Sequence, residues 1–273
     1  MKCILCDKSL KITLNSSFLN LPVYFCGDCN IHMNGDSIQQ KTEKVSDMYK
    51  KDFWDKNNAE VEINSDHTDK NSEGKKRDLI SQYLYTKKFI SGKNFFEIGV
   101  GTGQAILWFE NNGFNVKGIE PDGRNVSMIN AKLKRGKVIE SSIEEFSIDE
   151  KFDVIWMSHV LEHLLQPDDF FRKIKNMLKK DGVLFIEVPN CEFKPMLKSS
   201  IEKSPHLYHF TKKSLSILAS NTGYKILSCD IFRPAKKIEG IKHKILKNSF
   251  PYYPRIKTDE NNGKYLRIIL KNS

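Results

Sequence analysis

The stretch Asn94-Phe-Phe-Glu-Ile-Gly-Val-Gly-Thr-Gly-Gln104 decides how this chain is read. It predicts a short apolar strand, a glycine turn Glu97-x-Gly99-x-Gly101-x-Gly103, and an amphipathic helix through Ala105-Ile-Leu-Trp-Phe109. Glycines at alternate positions let the backbone pass close to a ligand where a Cβ would clash. The turn falls at the carboxyl end of a strand, where open α/β sheets bind ligands. A dinucleotide fingerprint requires G-x-G-x-x-G. Here the third glycine, Gly103, comes one residue early and Gln104 follows it. Glu97 would repel a pyrophosphate but suits a ligand carrying an ammonium group.

A second acid, Glu120, ends the next expected strand, Asn115-Val-Lys-Gly-Ile-Glu-Pro121. An acid there can accept both ribose hydroxyls of an adenosine. A cation at the first strand and a ribose at the second describe S-adenosylmethionine. The alternative is a glycine-rich turn of another α/β protein, a dehydrogenase included. With this spacing, residues 78 to 273 resemble the class I S-adenosylmethionine-dependent methyltransferases. The resemblance implies a Rossmann-like seven-stranded α/β sheet and enzymatic methyl transfer. It also implies cofactor contacts from Glu97, Gly99, Gly101, Gly103, Glu120, Pro121, Ser142, Ile143, Met157 and Ser158.

The following pattern alternates strand and helix, as a doubly wound sheet requires. Strands are expected at Lys137–Ser142, Phe152–Met157 and Gly182–Val188, the last closed by Pro189. Helical apolar spacing covers Asp122 to Leu133 and Asp168 to Lys180, with Asp181-Gly182 read as the stop of the second. A helix over Thr211 to Asn221 precedes two final strands, Tyr224–Phe232 and Lys264–Leu270. The resemblance makes those two an antiparallel hairpin at the sheet edge. Upstream, Asp78 to Ile90 reads as the helix entering the first strand, and Glu60 to Lys76 as an exposed linker or flap. Val45 to Trp54 reads as one amphipathic helix that packs Tyr49, Phe53 and Trp54.

The chain has 273 residues and a formal net charge of +10. Its lysines are scattered among acids, with one cluster at Arg233 to Lys247, and no aromatic-basic recognition motif stands out. A solvated surface is favoured over a nucleic-acid face. No apolar run reaches the ~18 residues of a membrane span. The opening Met1-Lys-Cys-Ile-Leu-Cys6 turns polar too soon for a secretory signal, so a cytoplasmic protein is expected. In that compartment cysteines serve more often as metal ligands than in disulfides. Cys3-x-x-Cys6 and Cys26-x-x-Cys29 can each wrap a metal and together complete a tetrahedral, structural Zn2+ site. His32 is a possible substitute ligand, and Cys191 and Cys229 read as buried apolar residues. The expected organisation is a zinc-binding, ribbon-like module at 1–33, a linker with a helix at 34–77 and a methyltransferase domain at 78–273.

Two stretches carry candidate chemistry. In Met157-Ser-His-Val-Leu-Glu-His-Leu164, His159, Glu162 and His163 share one face if helical. Similar stretches occur in ubiquinone-biosynthesis O-methyltransferases, where acids and a histidine bind a divalent metal; this chain carries His159 where they carry Glu. The plainer reading is that Glu162 and His163 support the turn beneath the cofactor. Ser204-Pro-His-Leu-Tyr-His-Phe-Thr211 is similar to a motif of sugar C-methyltransferases, which also carry an amino-terminal zinc module. By that comparison His206 stands for the general base and Pro205 replaces its neighbouring acid, which favours O- over C-methylation. A neutral histidine suits proton removal at ordinary pH. Tyr208 reads as a substrate contact and His209 as a loop histidine. His206, His159 and His163 are the candidate catalytic residues. The expected substrate is a small polar acceptor, a sugar or nucleotide-sugar of carbohydrate biosynthesis. The alternative is a zinc-containing rRNA or tRNA base methyltransferase, although the Asn- or Asp-Pro-Pro-aromatic signature is absent. A third is a zinc-ribbon interaction protein on a decayed enzyme fold.

Overall fold

Five of the seven side chains of Phe152–Ser158 are apolar and buried, and the computed structural model gives the reason: both faces of its sheet are covered. The structure describes residues 1–35, 41–42, 70–236, 238–239, 255–259 and 262–272. The helix expected over Val45–Trp54 and most of the basic run Arg233–Lys247 lie outside these residues.

In chain order, strands β1 (Ile12–Ser16), β2 (Leu21–Cys26) and β3 (Ile31–Asn34) precede helix α1 (Lys70–Thr86). Then come β4 (Asn94–Ile98), α2 (Gln104–Asn111), β5 (Asn115–Glu120), α3 (Gly123–Asn130), β6 (Lys137–Glu140) and β7 (Phe152–Ser158). The chain continues with α4 (Pro167–Met177), β8 (Leu178–Pro189), α5 (Lys194–Lys203), β9 (Tyr208–His209) and α6 (Lys212–Asn221). Strands β10 (Tyr224–Pro234), β11 (Arg255–Thr258) and β12 (Tyr265–Asn272) end it.

Among the described residues the main sheet has eight strands, in the order β11-β10-β12-β8-β7-β4-β5-β6, where seven were expected. Strands β6, β5, β4, β7 and β8 are parallel, while β12, β10 and β11 run antiparallel. The additional strand is β11, in the connection read from sequence as a basic loop. After β4 the chain winds outward through β5 and β6, then returns to place β7 on the other side. That reversal is the switch point at which such sheets open a ligand crevice.

Alternate residues build two cores, as the two-residue period of a strand requires. Phe95, Val154, Trp156, Val183 and Phe185 pack under α2 and α3; Phe96, Ile155, Met157, Leu184 and Ile186 pack under α4 and α6. The second core also takes in Cys3, Leu5, Leu21, Ile31 and Met33. The amino-terminal strands form a second sheet, β1-β2-β3-β9, whose fourth strand comes from far along the chain. A segment this small cannot bury enough surface alone, and it completes its sheet and core with Leu207, Tyr208 and Phe210.

Some expected boundaries move. Helix α1 begins at Lys70, so the last part of the expected linker is helical. Helix α4 stops at Met177, and Asp181-Gly182 lies inside β8 rather than at a helix end. There a Cβ on Gly182 would stand 2.7 Å from the Phe152 carbonyl oxygen, so the glycine serves a close approach of backbones. The helix expected from Thr211 forms with Thr211 as its cap, closed by a reciprocal bond with Ser214.

Candidate active site

A cleft of about 1200 Å³ opens at the carboxyl ends of β4, β5 and β7. Single-ligand pockets run to ~1,000 Å³, so this one has room for a cofactor-sized molecule and an acceptor side by side. Its floor is the glycine turn. Gly99, Gly101 and Gly103 all have positive φ, at 69°, 55° and 80°. A Cβ on Gly99 would lie 2.4 Å from Val160 Cγ2, and one on Gly103 2.8 Å from Ile129 Cγ1. Gly99 and Gly101 line the cleft; Gly103 instead lets α2 start against α3.

Glu97 and Glu120 stand on either side of this turn. Glu97 is buried at the cleft wall, and its Oε2 has no hydrogen-bond partner among the described residues. Burial raises its pKa well above the usual carboxylate range, and Glu120 adds to the rise. Glu120 accepts from the Gly101 N–H at 2.8 Å and from the Asp122 N–H at 3.2 Å, so the acid braces the loop it faces. Burial still lifts its pKa to about 7. An orphaned carboxylate oxygen beside a glycine cradle, with a second acid one strand away, fits the ammonium and ribose ends of S-adenosylmethionine. Pro121, Ser142, Ile143 and Ser158 also line the cleft, whereas the Met157 side chain points into the core behind β7.

The other half of the cleft is polar. His159, at the tip of β7, has φ 57°, a strained conformation for a residue with a Cβ. Its backbone N–H donates to the Glu187 carbonyl at 2.8 Å. Its Nδ1 lies 3.4 Å from Glu162 and its Nε2 3.3 Å from Glu187. The ring is 41% accessible, toward the cleft. Burial opposes its charge, but the two carboxylates win and raise its pKa to about 10, so it is an imidazolium. Glu187 is held ionised in turn: burial opposes it, while Arg267, paired at 2.5 Å, and His159 lower its pKa. Gln82 on α1 bridges Glu187 at 2.9 Å and Ser158 at 3.2 Å. Asp78 of α1 and Arg255 of β11 pair at 2.5 Å across the same wall.

Beneath His159 sits Glu162, 1% exposed, with neither oxygen hydrogen-bonded among the described residues. Burial works against its charge, but the His159 imidazolium beside it holds its pKa down to about 2. His163 lines the cleft, and burial lowers its pKa. Its Nδ1 faces the Pro205 carbonyl at 3.3 Å, which can only accept, so Nδ1 carries the proton and Nε2 is the basic nitrogen. His206 does not line the cleft. It lies behind Glu162, with Nε2 at 3.8 Å, and burial lowers its pKa to about 3. Tyr208 is likewise buried and is not a cleft contact: its hydroxyl donates to the Leu165 carbonyl at 2.8 Å and accepts from Lys41.

At the edge of the small sheet, the thiols of Cys3, Cys6, Cys26 and Cys29 lie within 4.8 Å of one another. His32 is not in that group; it stacks on Phe25 at 4.4 Å. Cys191 and Cys229 stay apart from it, the first buried and the second partly so.

Sequence reading missed Glu187, Arg267, Gln82, Asp78 and Arg255. The first two carried a signal: each interrupts an otherwise apolar buried strand, where an ionised residue is rare unless paired. They face each other across β8 and β12.

The methyltransferase-domain family profile matches residues 69–229, and the chain belongs to that family. Those residues form an S-adenosylmethionine-dependent methyltransferase domain. A ubiquinone biosynthesis O-methyltransferase of Bradyrhizobium sp. (strain ORS 278) is 27% identical over 109 residues, 38% of this chain and 43% of that protein. Its counterpart from Rickettsia conorii is 27% identical over 164 residues, 54% of this chain and 57% of that protein. The chain thus matches about half the length of these relatives. The N-methyltransferase NodS of Bradyrhizobium japonicum WM9, solved in complex with S-adenosylhomocysteine, shares the fold at a TM-score of 0.52 and 15% identity, covering 79% of this chain and 97% of that one.

Proposed function

We propose that the protein transfers the methyl group of S-adenosylmethionine to a hydroxyl of a small polyhydroxylated acceptor, a sugar or nucleotide-sugar. Bound S-adenosylmethionine supplies an electrophilic methyl carbon. Glu97 takes the ammonium end and Glu120 the ribose, with Gly99 and Gly101 giving close access. The observation that carries the reading is the pairing of an orphaned, buried Glu97 oxygen with this glycine cradle. His163 accepts the hydroxyl proton at Nε2. It is the one candidate histidine that both lines the cleft and is held neutral, and its tautomer presents the right nitrogen. His159, already an imidazolium, is no base; it holds Glu162 and Glu187 in place and lends positive charge to the acceptor oxygen as its proton leaves. Asp78, Gln82, Glu187 and Arg255 make a hydrogen-bonding wall suited to several hydroxyls.

A phenolic acceptor is the second reading, favoured by the relatives' names. Incubating the protein with S-adenosylmethionine and parallel panels of nucleotide-sugars and catechols tests both. Methylated sugar supports the first reading and methylated catechol the second; failure to bind S-adenosylhomocysteine by calorimetry would sink both.

Cys3, Cys6, Cys26 and Cys29 are taken to hold a structural Zn2+, since four converging thiols in a segment with little core of its own are the expected donor set. The division into a zinc module at 1–33, a linker at 34–77 and a methyltransferase domain at 78–273 belongs to the same reading. So does a cytoplasmic setting, where thiols stay reduced and free to bind metal.

A further inference from the structure

Strand β3 leaves the cysteine cluster directly and ends at Asn34, which is fully buried. The strand pairs with β9, His32 opposite His209 and Met33 opposite Tyr208. Asn34 makes three contacts with the segment carrying the candidate histidines. Its backbone N–H donates to the Leu207 carbonyl at 2.8 Å, its Nδ2 donates to the His206 carbonyl at 2.7 Å, and its Oδ1 faces His209 Nε2 at 3.4 Å. A single hydroxyl, Ser200 Oγ, then lies 2.6 Å from His206 Nδ1 and 2.8 Å from His209 Nδ1.

These contacts admit one proton arrangement. The carbonyl of His206 can only accept, so the Asn34 atom facing it is the amide nitrogen, and Oδ1 must accept from His209. His209 therefore carries its proton on Nε2, and being neutral it offers a lone pair at Nδ1. Ser200 donates its only proton to that lone pair and accepts from His206 Nδ1. The Cys191 thiol beside Ser200, kept protonated by burial, does not change this order, because His209 Nδ1 needs the hydroxyl proton. Both imidazoles are held neutral by burial, which raises the cost of any arrangement with an extra proton.

We propose that Asn34 is a positioning residue of the candidate active site, and that through His209 and Ser200 it fixes His206 with a lone pair at Nε2 turned toward Glu162 and His163. A carboxylate oxygen of Glu162 and one ring nitrogen each of His163 and His206 lie within 4.8 Å of one another. In this arrangement His206 adds no positive charge beside Glu162, so that carboxylate is left to stabilise His163 once it has taken up a proton. The amino-terminal segment thereby sets the state of a site to which it contributes no catalytic group. The catalytic consequence rests on the methyl-transfer reading; the tautomer does not.

Proton–nitrogen correlation spectra of the imidazoles in full-length, nitrogen-labelled protein test this directly. Wild type should show His206 protonated at Nδ1 and His209 at Nε2. Asn34→Ala should leave both rings as tautomer mixtures. Ser200→Ala should free His206 alone while His209 keeps its Nε2 proton, and Ser200→Thr should restore the wild-type pattern. Calorimetry with S-adenosylhomocysteine should give unchanged affinity in every variant, because the Glu97–Glu120 side is untouched. His206 protonated at Nε2 in wild type, or a His206 signature indifferent to both Asn34→Ala and Ser200→Ala, would overturn the proposal. A loss of S-adenosylhomocysteine binding in Ser200→Ala would also count against it, by showing that Ser200 supports the fold at large rather than the imidazole tautomers. Wild type that binds no S-adenosylhomocysteine would instead discredit the methyl-transfer reading, with the tautomers read independently.

Discussion

Glu97 carries most of the functional argument at the residue scale, and its behaviour can be checked alone. An ammonium group demands an ionised carboxylate, while burial raises the pKa of Glu97 and favours its neutral acid. Affinity for S-adenosylhomocysteine should therefore rise with pH as the proton becomes easier to remove, and binding should release a proton. Calorimetry in buffers of different ionisation enthalpy measures this; Glu97→Gln should remove the proton release and weaken binding by about 1.5–3 kcal/mol, the worth of a hydrogen bond to a charged group. Glu120 gives a related signal in the unliganded protein. Its pKa is raised from 4.5 to about 7, so the folded state prefers the neutral acid. The associated stability is fully present below pH 4.5 and lost as pH rises through about 7. At about 1.4 kcal/mol per unit, the difference between wild type and Glu120→Gln in denaturant melts should change by roughly 3 kcal/mol over that window. His159 also has a raised pKa, so its contribution is complete below pH 6.5 and disappears as pH climbs through about 10. His159→Asn, which tolerates the positive φ, should lose stability relative to wild type at neutral pH, with the gap closing toward pH 10.

Among the elements, the turn between β4 and α2 was legible because its chemistry is local. Alternate glycines, a preceding acid and an apolar run can be read without knowing what they face. Yet the reasons for the individual glycines were not legible. Gly99 makes room for Val160 from the β7 loop, and Gly103 for Ile129 of α3. Gly99→Ala should therefore cost stability twice, through its φ of 69° and through a Cβ 2.4 Å from Val160. A loss of about 1–3 kcal/mol is expected for the backbone strain alone, with weaker S-adenosylhomocysteine binding, measured by melts and calorimetry. The long strand β8 shows the opposite limit. Its first residues continue the helical pattern of α4, and only pairing with Phe152 and its neighbours settles them as strand. Local propensity is a weak prior against such pairing.

Over the whole molecule, the cysteine-bearing sheet shares one apolar core with the main sheet and takes its fourth strand, β9, from far along the chain. They should unfold together. With the proposed Zn2+ loaded onto the four thiols, chelation should lower the single melting transition of the full chain and reduce hydrogen-exchange protection at Tyr208 and His209, far along the chain from the cysteines. A separate early transition, with β9 protection unaffected, would mean that the two sheets are energetically independent. The buried pair Glu187–Arg267 joins β8 to β12, where the parallel and antiparallel parts of the sheet meet. Glu187→Gln should cost about 3–5 kcal/mol, because it leaves a buried guanidinium uncompensated; thermal melts would show it as a large drop.

By itself the amino-acid order determined the α/β architecture, the position of the glycine turn with Glu97 and Glu120, and the pairing of cysteines into two short motifs. Each of these follows from periodicity or from residues a few positions apart, where chain geometry alone dictates who meets whom. Tertiary structure decided what depends on distant segments coming together. It put His163 rather than His206 in the cleft, charged His159 through two buried carboxylates, added β11 to the sheet and joined Asn34 to His209. Those outcomes turn on desolvation and on which neighbours a side chain meets inside the fold, and spacing along one chain carries neither quantity.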